Sequence, residues 1–147
     1  MTPDYQRAGQ MIRFFKEDTK FEYKGKPECK RWLKRVASDE GCRIGDVNII
    51  LCSDPYLLDI NRKFLQHEYY TDIITFDYRE NDVLSGDLFI SVDCLRANSE
   101  FYGTPFDEEL DRVIVHGLLH IIGYDDHTDD DRKEMREKEN TSLQKRA

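Results

Sequence analysis

A segment in the last third of the sequence constrains the fold most strongly. Residues 104–122 carry apolar side chains on nearly every side of a predicted helix, and two histidines, His116 and His120, lie in it four positions apart. Residues i and i+4 lie above one another on a helix, so both imidazoles point to one side. Gly123 follows and is able to end the helix with a positive φ. The pattern predicts a central, buried helix that presents two histidines to one metal ion and then turns.

The residues after Gly123 supply candidates for a third metal ligand. Asp126 and His127 both lie in the predicted turn, and both residue types are zinc ligands. One histidine in a buried helix is usually a core residue, but a pair at this spacing with further ligand-type residues favours a metal site. The spacing also matches metzincin-type zinc proteases. Gly117 stands where those proteases carry their general-base glutamate, so that protease mechanism is not supported.

Length and composition limit the class of protein. With 147 residues, 39% of them hydrophobic and 35% charged, the sequence is expected to form a single domain, residues 1–147, with one core. No apolar run approaches the roughly 20 residues that a membrane span needs, and no secretory signal is recognised. We therefore expect a cytoplasmic protein without a membrane partner. The cysteines share no C-x-x-C pair and are expected to be reduced; they are Cys29, Cys42, Cys52 and Cys94.

Charge is unevenly distributed along the chain. The formal net charge of -8 argues against a protein that coats nucleic acid by bulk electrostatics. Residues 20–43 nevertheless carry an excess of four positive charges, whereas residues 100–147 carry an excess of six negative charges. This segregation permits an anionic substrate to lie along one side of the molecule. The basic residues are equally explained as the solvated face of a helix.

The remaining periodicity predicts a mixed sheet covered by helices. The strands are predicted at residues 11–15, 47–52, 72–78 and 87–91, and the helices at residues 27–39, 54–65, 92–101, 104–122 and 128–140. The strand–helix–strand order at the start favours a parallel pair, and the short connection between the last two strands favours antiparallel or edge pairing. We expect an α/β (α+β) fold with a single mixed four-stranded sheet and about five helices. Residues 144–147 are expected to be disordered.

Four motifs follow one another in a characteristic order. They are T-D-I-I-T-F from Thr71, G-D-L-F-I-S from Gly86, H-G-L-L-H from His116 and G-Y-D from Gly123. Together they resemble the YbeY family of bacterial endoribonucleases over nearly the whole chain. The resemblance implies a small, single-domain, zinc-binding endoribonuclease that matures the 3′ end of small-subunit rRNA and acts in ribosome quality control. It also implies one Zn²⁺ ion, single-stranded RNA or rRNA as partner, and contacts with ribosomal proteins or assembly factors; no DNA is expected.

The third ligand is the first departure from the family pattern. The family motif has a histidine directly after Gly-Tyr-Asp, where this chain has Asp126 followed by His127. An ungapped register keeps the following acidic helix in place and favours Asp126. The resemblance therefore implies His116, His120 and Asp126 as the metal ligands. His127 remains the alternative, because the turn is able to absorb one extra residue.

The second departure lies before Thr71. Leu65 occupies a position where many relatives carry an arginine that is thought to contact RNA or the reaction centre. Arg62, one helical turn earlier, is interpreted as an ordinary surface residue, so no catalytic residue is assigned. Tyr69 and Tyr70 are candidates for stacking on unpaired bases.

The roles of two further carboxylates are not decided by the sequence, and two alternatives to the leading function remain. Asp72 and Asp87 either orient a ligating imidazole or have structural roles at a turn or strand edge. The leading hypothesis is a metal-dependent endoribonuclease specific for single-stranded RNA. The alternatives are a non-catalytic ribosome-assembly factor that zinc stabilises, and a metal hydrolase of another substrate.

Overall fold

A four-stranded sheet and five α-helices form the fold over residues 11–65 and 71–146, which are the residues that the computed structural model describes. The strands are β1 (Ile12–Glu17), β2 (Arg43–Cys52), β3 (Ile73–Asp77) and β4 (Val83–Ser91). The helices are α1 (Lys26–Asp39), α2 (Asp54–Ile60), α3 (Val92–Tyr102), α4 (Phe106–Ile122) and α5 (Asp129–Gln144), and one π-type turn, Asn61–Leu65, continues α2. The predicted fold class and number of helices are confirmed.

The sheet is mixed, with the strand order β1-β2-β4-β3. β1, β2 and β4 are parallel, and β3 pairs antiparallel with β4 at one edge. The parallel crossover at the start of the chain and the antiparallel edge pair are both confirmed. Helix α4, which carries both histidines, packs on the edge strand β3 and on β4.

Two strands begin earlier than predicted. Pairing of β2 with β4 extends back to Arg43 and Val83, with a register shift between Ile44 and Val47. Glycines in this part of both strands interrupt the apolar alternation and hide the early pairing from a periodicity argument. At Gly86 a Cβ atom would lie 2.3 Å from the carbonyl oxygen of Phe76, so this position has no room for a side chain.

Helix α4 is central, as the sequence predicts. Its buried residues are Leu110, Val113, Ile114, Val115, Gly117, Leu118, Leu119 and Ile121. The helix approaches the sheet closely at Gly117, where a Cβ atom would lie 2.8 Å from a methyl carbon of both Ile73 and Leu88. The helix therefore rests directly on the sheet and leaves only one side, that of the two histidines, partly open.

Helix α5 ends at Gln144, two residues before the end of the described chain, and the predicted disorder of residues 144–147 is wrong for all of them but Ala147, which is not described. The indole of Trp32 donates a hydrogen bond to the carbonyl oxygen of Ser142 at 2.7 Å. Lys145 pairs with Asp39 at 2.7 Å. These contacts reach back about a hundred residues, so local composition gives no sign of them.

The helices start within two residues of the predicted positions. The hydroxyl of Thr128 accepts the N–H of Asp131 at 3.0 Å and caps α5. The hydroxyl of Ser53 caps α2 by accepting the N–H of Tyr56, and the Asp54 carboxylate accepts a hydrogen bond from Ser91. The four cysteines are free thiols. None of the described helices combines the length and apolar character that crossing a membrane requires.

Candidate metal centre

Three ligand-type side chains meet where α4 ends and the next turn folds back. One donor atom from each of His116, His120 and Asp126 lies within 4.8 Å of the other two. The Asp126 Oδ2 atom is 3.3 Å from Nε2 of His120 and 3.6 Å from Nε2 of His116. Two imidazole nitrogens and one carboxylate oxygen are a donor set that suits Zn²⁺ and related divalent ions, and three protein ligands leave a position for a substrate or water. The residues present therefore fit a catalytic-type metal site.

Hydrogen bonds to the backbone fix the turn after α4 at both ends. Gly123 has a φ of 129°, and its N–H donates to the carbonyl oxygen of Leu119 at 3.0 Å. This is the positive φ that the sequence predicts at this glycine. On the far side, the Arg132 guanidinium donates to the carbonyl oxygens of Asp126 and His127 at 3.2 and 3.3 Å. The Asp126 side chain is thereby held toward α4.

His127 lies outside the cluster. Its side chain is 80% exposed, and its Nε2 atom is 3.8 Å from Oδ1 of Asp125. Among the described residues, the structure brings Asp126 and not His127 to the two helical histidines.

Glu139 of α5 orients the first histidine, and sequence reasoning missed it. Its Oε2 atom is 2.7 Å from Nδ1 of His116, and its Oε1 atom accepts a hydrogen bond from Arg112 at 2.9 Å. A proton on Nδ1 leaves the lone pair of Nε2 free to face Asp126. The helical spacing of Glu139 from Met135 indicates that it shares the buried face of α5, but no local pattern pairs it with His116.

The electrostatics of this pair follow from its bonds. Burial alone would lower the pKa of His116, but the hydrogen bond to Glu139 and the charges of Glu139 and Asp126 raise it above its ordinary value. Burial alone would raise the pKa of Glu139, but the hydrogen bonds to His116 and Arg112 lower it below its ordinary value. A metal ion at His116 therefore competes with a proton.

The two carboxylates at the predicted strand starts have different surroundings. Asp72 lies close to His116, and burial raises the pKa of its carboxyl group while His116 partly offsets that effect. Asp87 accepts a hydrogen bond from the Asn48 amide at 3.0 Å across the sheet. Asp87 therefore has the structural role, and neither carboxylate replaces Glu139 as the partner of His116.

Two cavities meet at the cluster. The cavity beside β3 has a volume of about 420 Å³ and the cavity beside α5 a volume of about 300 Å³. Both are lined by Asp72, His116 and Asp126. A ligand that extends through both cavities would pass directly over the ligand atoms of the cluster.

The candidate RNA contacts before Thr71 are only partly described. Arg62 is exposed, and Leu65 is 41% exposed at the end of the π-type turn. Phe76 is partly buried and packs edge to face between two other phenylalanines. Tyr69 and Tyr70 lie outside the described residues.

Fold and site define a class of protein, the mixed α/β proteins with a candidate metal centre at the C-terminal end of a buried helix. A family model described as endoribonuclease YbeY matches residues 12–147. The chain belongs to this family.

Individual relatives agree with the family match. The chain is 52% identical to the endoribonuclease YbeY of Bacteroides thetaiotaomicron, over 80% of this chain and 86% of that one. It is 46% identical to the endoribonuclease YbeY of Cytophaga hutchinsonii, over 91% and 94%. The solution structure of TM1509 from Thermotoga maritima has a TM-score of 0.66 and 32% identity, covering 92% of this chain and 89% of that one.

Proposed function

We propose that this protein is a Zn²⁺-dependent endoribonuclease that cleaves single-stranded RNA during rRNA maturation. The observation that carries the proposal is the cluster of two histidines and an aspartate at the junction of two cavities. Membership of a family whose relatives are named endoribonucleases makes RNA the substrate class.

The residues of this chain have different roles at the site. His116, His120 and Asp126 would hold one Zn²⁺ ion, which supplies Lewis-acid chemistry and lowers the pKa of a water toward ~7 when it is bound. Glu139 holds the proton on Nδ1 of His116 and fixes the ring. Arg112 stabilises the charge of Glu139 through a 2.9 Å hydrogen bond. Gly117 leaves the helix without the general base of the protease motif.

The shape of the site supports a single strand. A duplex keeps its bases paired inside the helix, whereas a single strand is able to place unpaired nucleotides in separate cavities. Here the two cavities share the lining residues His116 and Asp126. A phosphodiester held at the junction would have one nucleotide in each cavity.

The biological setting that we propose follows from the family resemblance. The protein would act in the cytoplasm on the 3′ end of small-subunit rRNA and in ribosome quality control, with ribosomal proteins or assembly factors as partners. One domain, residues 1–147, would carry the whole activity. A hydrophobic cluster that spans the sheet and four of the five described α-helices, α1 and α3–α5, supports this assignment.

Cleavage of a defined RNA tests the proposal. Zinc-loaded protein, freed of contaminating nucleases, is incubated with a single-stranded fragment containing the 3′ end of small-subunit rRNA and with the same sequence as a duplex. We expect cleavage of the single strand by the wild type and by His127→Ala, and none by the double variant His116→Ala, His120→Ala. Equal cleavage by the double variant, or an inert zinc-loaded wild type, would contradict the proposal.

One observation favours the non-catalytic alternative. The cluster joins α4 to the turn before α5, so a metal ion would also tie the C-terminal part of the fold together. A zinc-stabilised assembly factor would bind the rRNA fragment and leave it intact. The cleavage experiment therefore distinguishes the two functions if binding is measured on the same samples.

A further inference from the structure

The cavity beside α5 contains an arginine that is free to bind a ligand. Arg136 is exposed, lies one helical turn after Arg132 and lines the cavity together with His116. Within residues 11–65 and 71–146 it makes no hydrogen bond, ion pair or ring contact. Arg112 and Arg132 line the same cavity, but the first is bonded to a carboxylate and the second to the turn after α4.

The charge of this cavity suits an anion once the metal ion is bound. Four carboxylates line it, among them Glu139, which is paired with Arg112 and His116, and Glu109, which accepts a hydrogen bond from Thr104. Three arginines of the described residues line the same cavity. A divalent cation at the cluster would bring the positive charges to one more than the carboxylates. The attraction of an anion is confined to this cavity, because the surrounding C-terminal segment is acidic.

We propose that Arg136 binds a phosphate of the RNA strand that leaves the metal cluster through the cavity beside α5. The inference rests on the proposed function and deepens it by naming a substrate-binding residue. A guanidinium matches two phosphate oxygens with two parallel N–H···O bonds, which a lysine does not reproduce. Arg132 has a different role, because its hydrogen bond to the carbonyl oxygen of Asp126 holds that residue in place.

A charge-matched pair of variants tests the role of Arg136. Lys133 is exposed on the same helix, makes no ion pair with the described residues and does not line the cavity. Binding of a short fluorescent single-stranded RNA is measured by anisotropy with zinc-loaded protein before cleavage proceeds, and KM and kcat are measured with the same protein. We expect Arg136→Ala to weaken binding and raise KM about tenfold with kcat nearly unchanged, because one charge-assisted hydrogen-bonded contact is lost. Lys133→Ala should change both by less than about twofold.

Salt dependence and a neutral phosphate analogue identify the contact. Loss of one phosphate contact should reduce the slope of log affinity against log salt by about 0.7 in Arg136→Ala, whereas Lys133→Ala keeps the slope. A series of RNAs with one neutral methylphosphonate linkage each should include a position that weakens the wild type and leaves Arg136→Ala unaffected. Arg136→Lys should be intermediate, and matching circular dichroism spectra exclude misfolding.

The outcomes separate this inference from the proposed function. If the wild type cleaves RNA but Arg136→Ala behaves like Lys133→Ala, the phosphate contact is wrong and the endoribonuclease stands. The contact is equally wrong if every methylphosphonate acts additively with Arg136→Ala. If Arg136 shows the expected coupling to one linkage but the zinc-loaded protein never cleaves, the contact stands and the catalytic function is wrong.

Discussion

Glu139 decides which nitrogen of His116 faces the metal cluster. Its carboxylate is 2.7 Å from Nδ1 and is almost fully buried, with Arg112 on its other oxygen. An imidazole without this partner is able to rotate or to carry its proton on Nε2, and either change removes a ligand atom from the cluster. Glu139 is therefore a positioning residue for His116.

Replacing Glu139 by glutamine should weaken zinc binding. The amide keeps the size of the side chain but loses the charge that fixes the proton on Nδ1, so we expect the affinity to fall about 10-fold or more. Competition with a chelating dye measures this affinity. The control is Glu134→Gln, which removes an exposed carboxylate from the same helix. Equal affinities of the two variants would show that Glu139 does not orient His116.

Spacing explains which site residues the sequence predicted. His116 and His120 were recognisable because i, i+4 positions on one helix need no tertiary information. Glu139 follows His116 by 23 residues and reaches it across two helices, so no local pattern connects them. Arg136 belongs to the same category, since only packing of α5 beside the cluster brings it into the cavity.

At the scale of elements, one hydrogen-bonded group connects α1, the turn after α4, and α5. The Tyr124 hydroxyl donates to Oε1 of Glu40 at 2.6 Å, and the Lys138 ammonium donates to Oε2 at 3.2 Å. Tyr124 comes two residues before Asp126, so this group also restrains the turn of the metal site. Burial alone would raise the pKa of Glu40, but these two bonds lower it below its ordinary value of 4.5.

Glu40→Gln should destabilise the protein in a pH-dependent way. Because the folded-state pKa of Glu40 is lowered, its contribution is fully present above about pH 4.5 and is lost as pH falls through the folded-state pKa. We expect a loss of about 1 kcal/mol at pH 7 that shrinks as the pH drops below 4.5. Urea unfolding of metal-free protein at several pH values measures the difference. Glu137→Gln, an exposed change on α5, serves as control, and a difference that grows toward low pH would contradict the account.

The contact of α4 with the sheet should not tolerate a side chain at Gly117. Helix propensity alone favours alanine by about 1 kcal/mol. A Cβ atom 2.8 Å from terminal methyl carbons of Ile73 and Leu88 would overpack the core at a cost of about 1–3 kcal/mol, so after the gain in helix propensity we expect a net loss of up to about 2 kcal/mol in unfolding free energy. Combination with Leu88→Val supplies the control, because the shorter side chain makes room. The double variant should be more stable than the sum of the single effects predicts, and strict additivity would contradict the contact.

At the scale of the whole molecule, a bound metal ion should couple the site to global stability. The cluster ties α4 to the turn before α5, so zinc binds the folded chain more tightly than the unfolded one. Free zinc at 100 times the dissociation constant should add about 2.7 kcal/mol. Thermal unfolding with and without zinc should show this gain for the wild type and for His127→Ala.

The variants at the third position distinguish the two ligand assignments. Asp126→Ala should lose most of the zinc-dependent gain, because its Oδ2 atom lies 3.3 Å from His120. The double variant His116→Ala, His120→Ala should lose all of it. A gain that persists in Asp126→Ala and disappears in His127→Ala would reverse the assignment.

The sequence predicts the fold correctly in segments where the apolar residues recur with a single helical or strand period. The central helix α4 and the mixed sheet were predictable. Apolar residues on all sides of a helix indicate a buried helix, and short apolar runs indicate buried strands. The early starts of β2 and β4 were not, because glycines interrupt the alternation there. The ordered C-terminal residues depend on contacts with Trp32 and Asp39, far away in the chain, which no window of local sequence contains.

The seating of α4 on the sheet also limits how this fold is able to evolve. One codon change at Gly117 would restore the sequence signature of a zinc peptidase, yet the new carboxylate would point into Ile73 and Leu88 rather than toward a water at the metal. The helix would first have to move away from β3 and β4, at the expense of the core. A single substitution thus separates the two sequence motifs, whereas a displacement of the central helix separates the two structures.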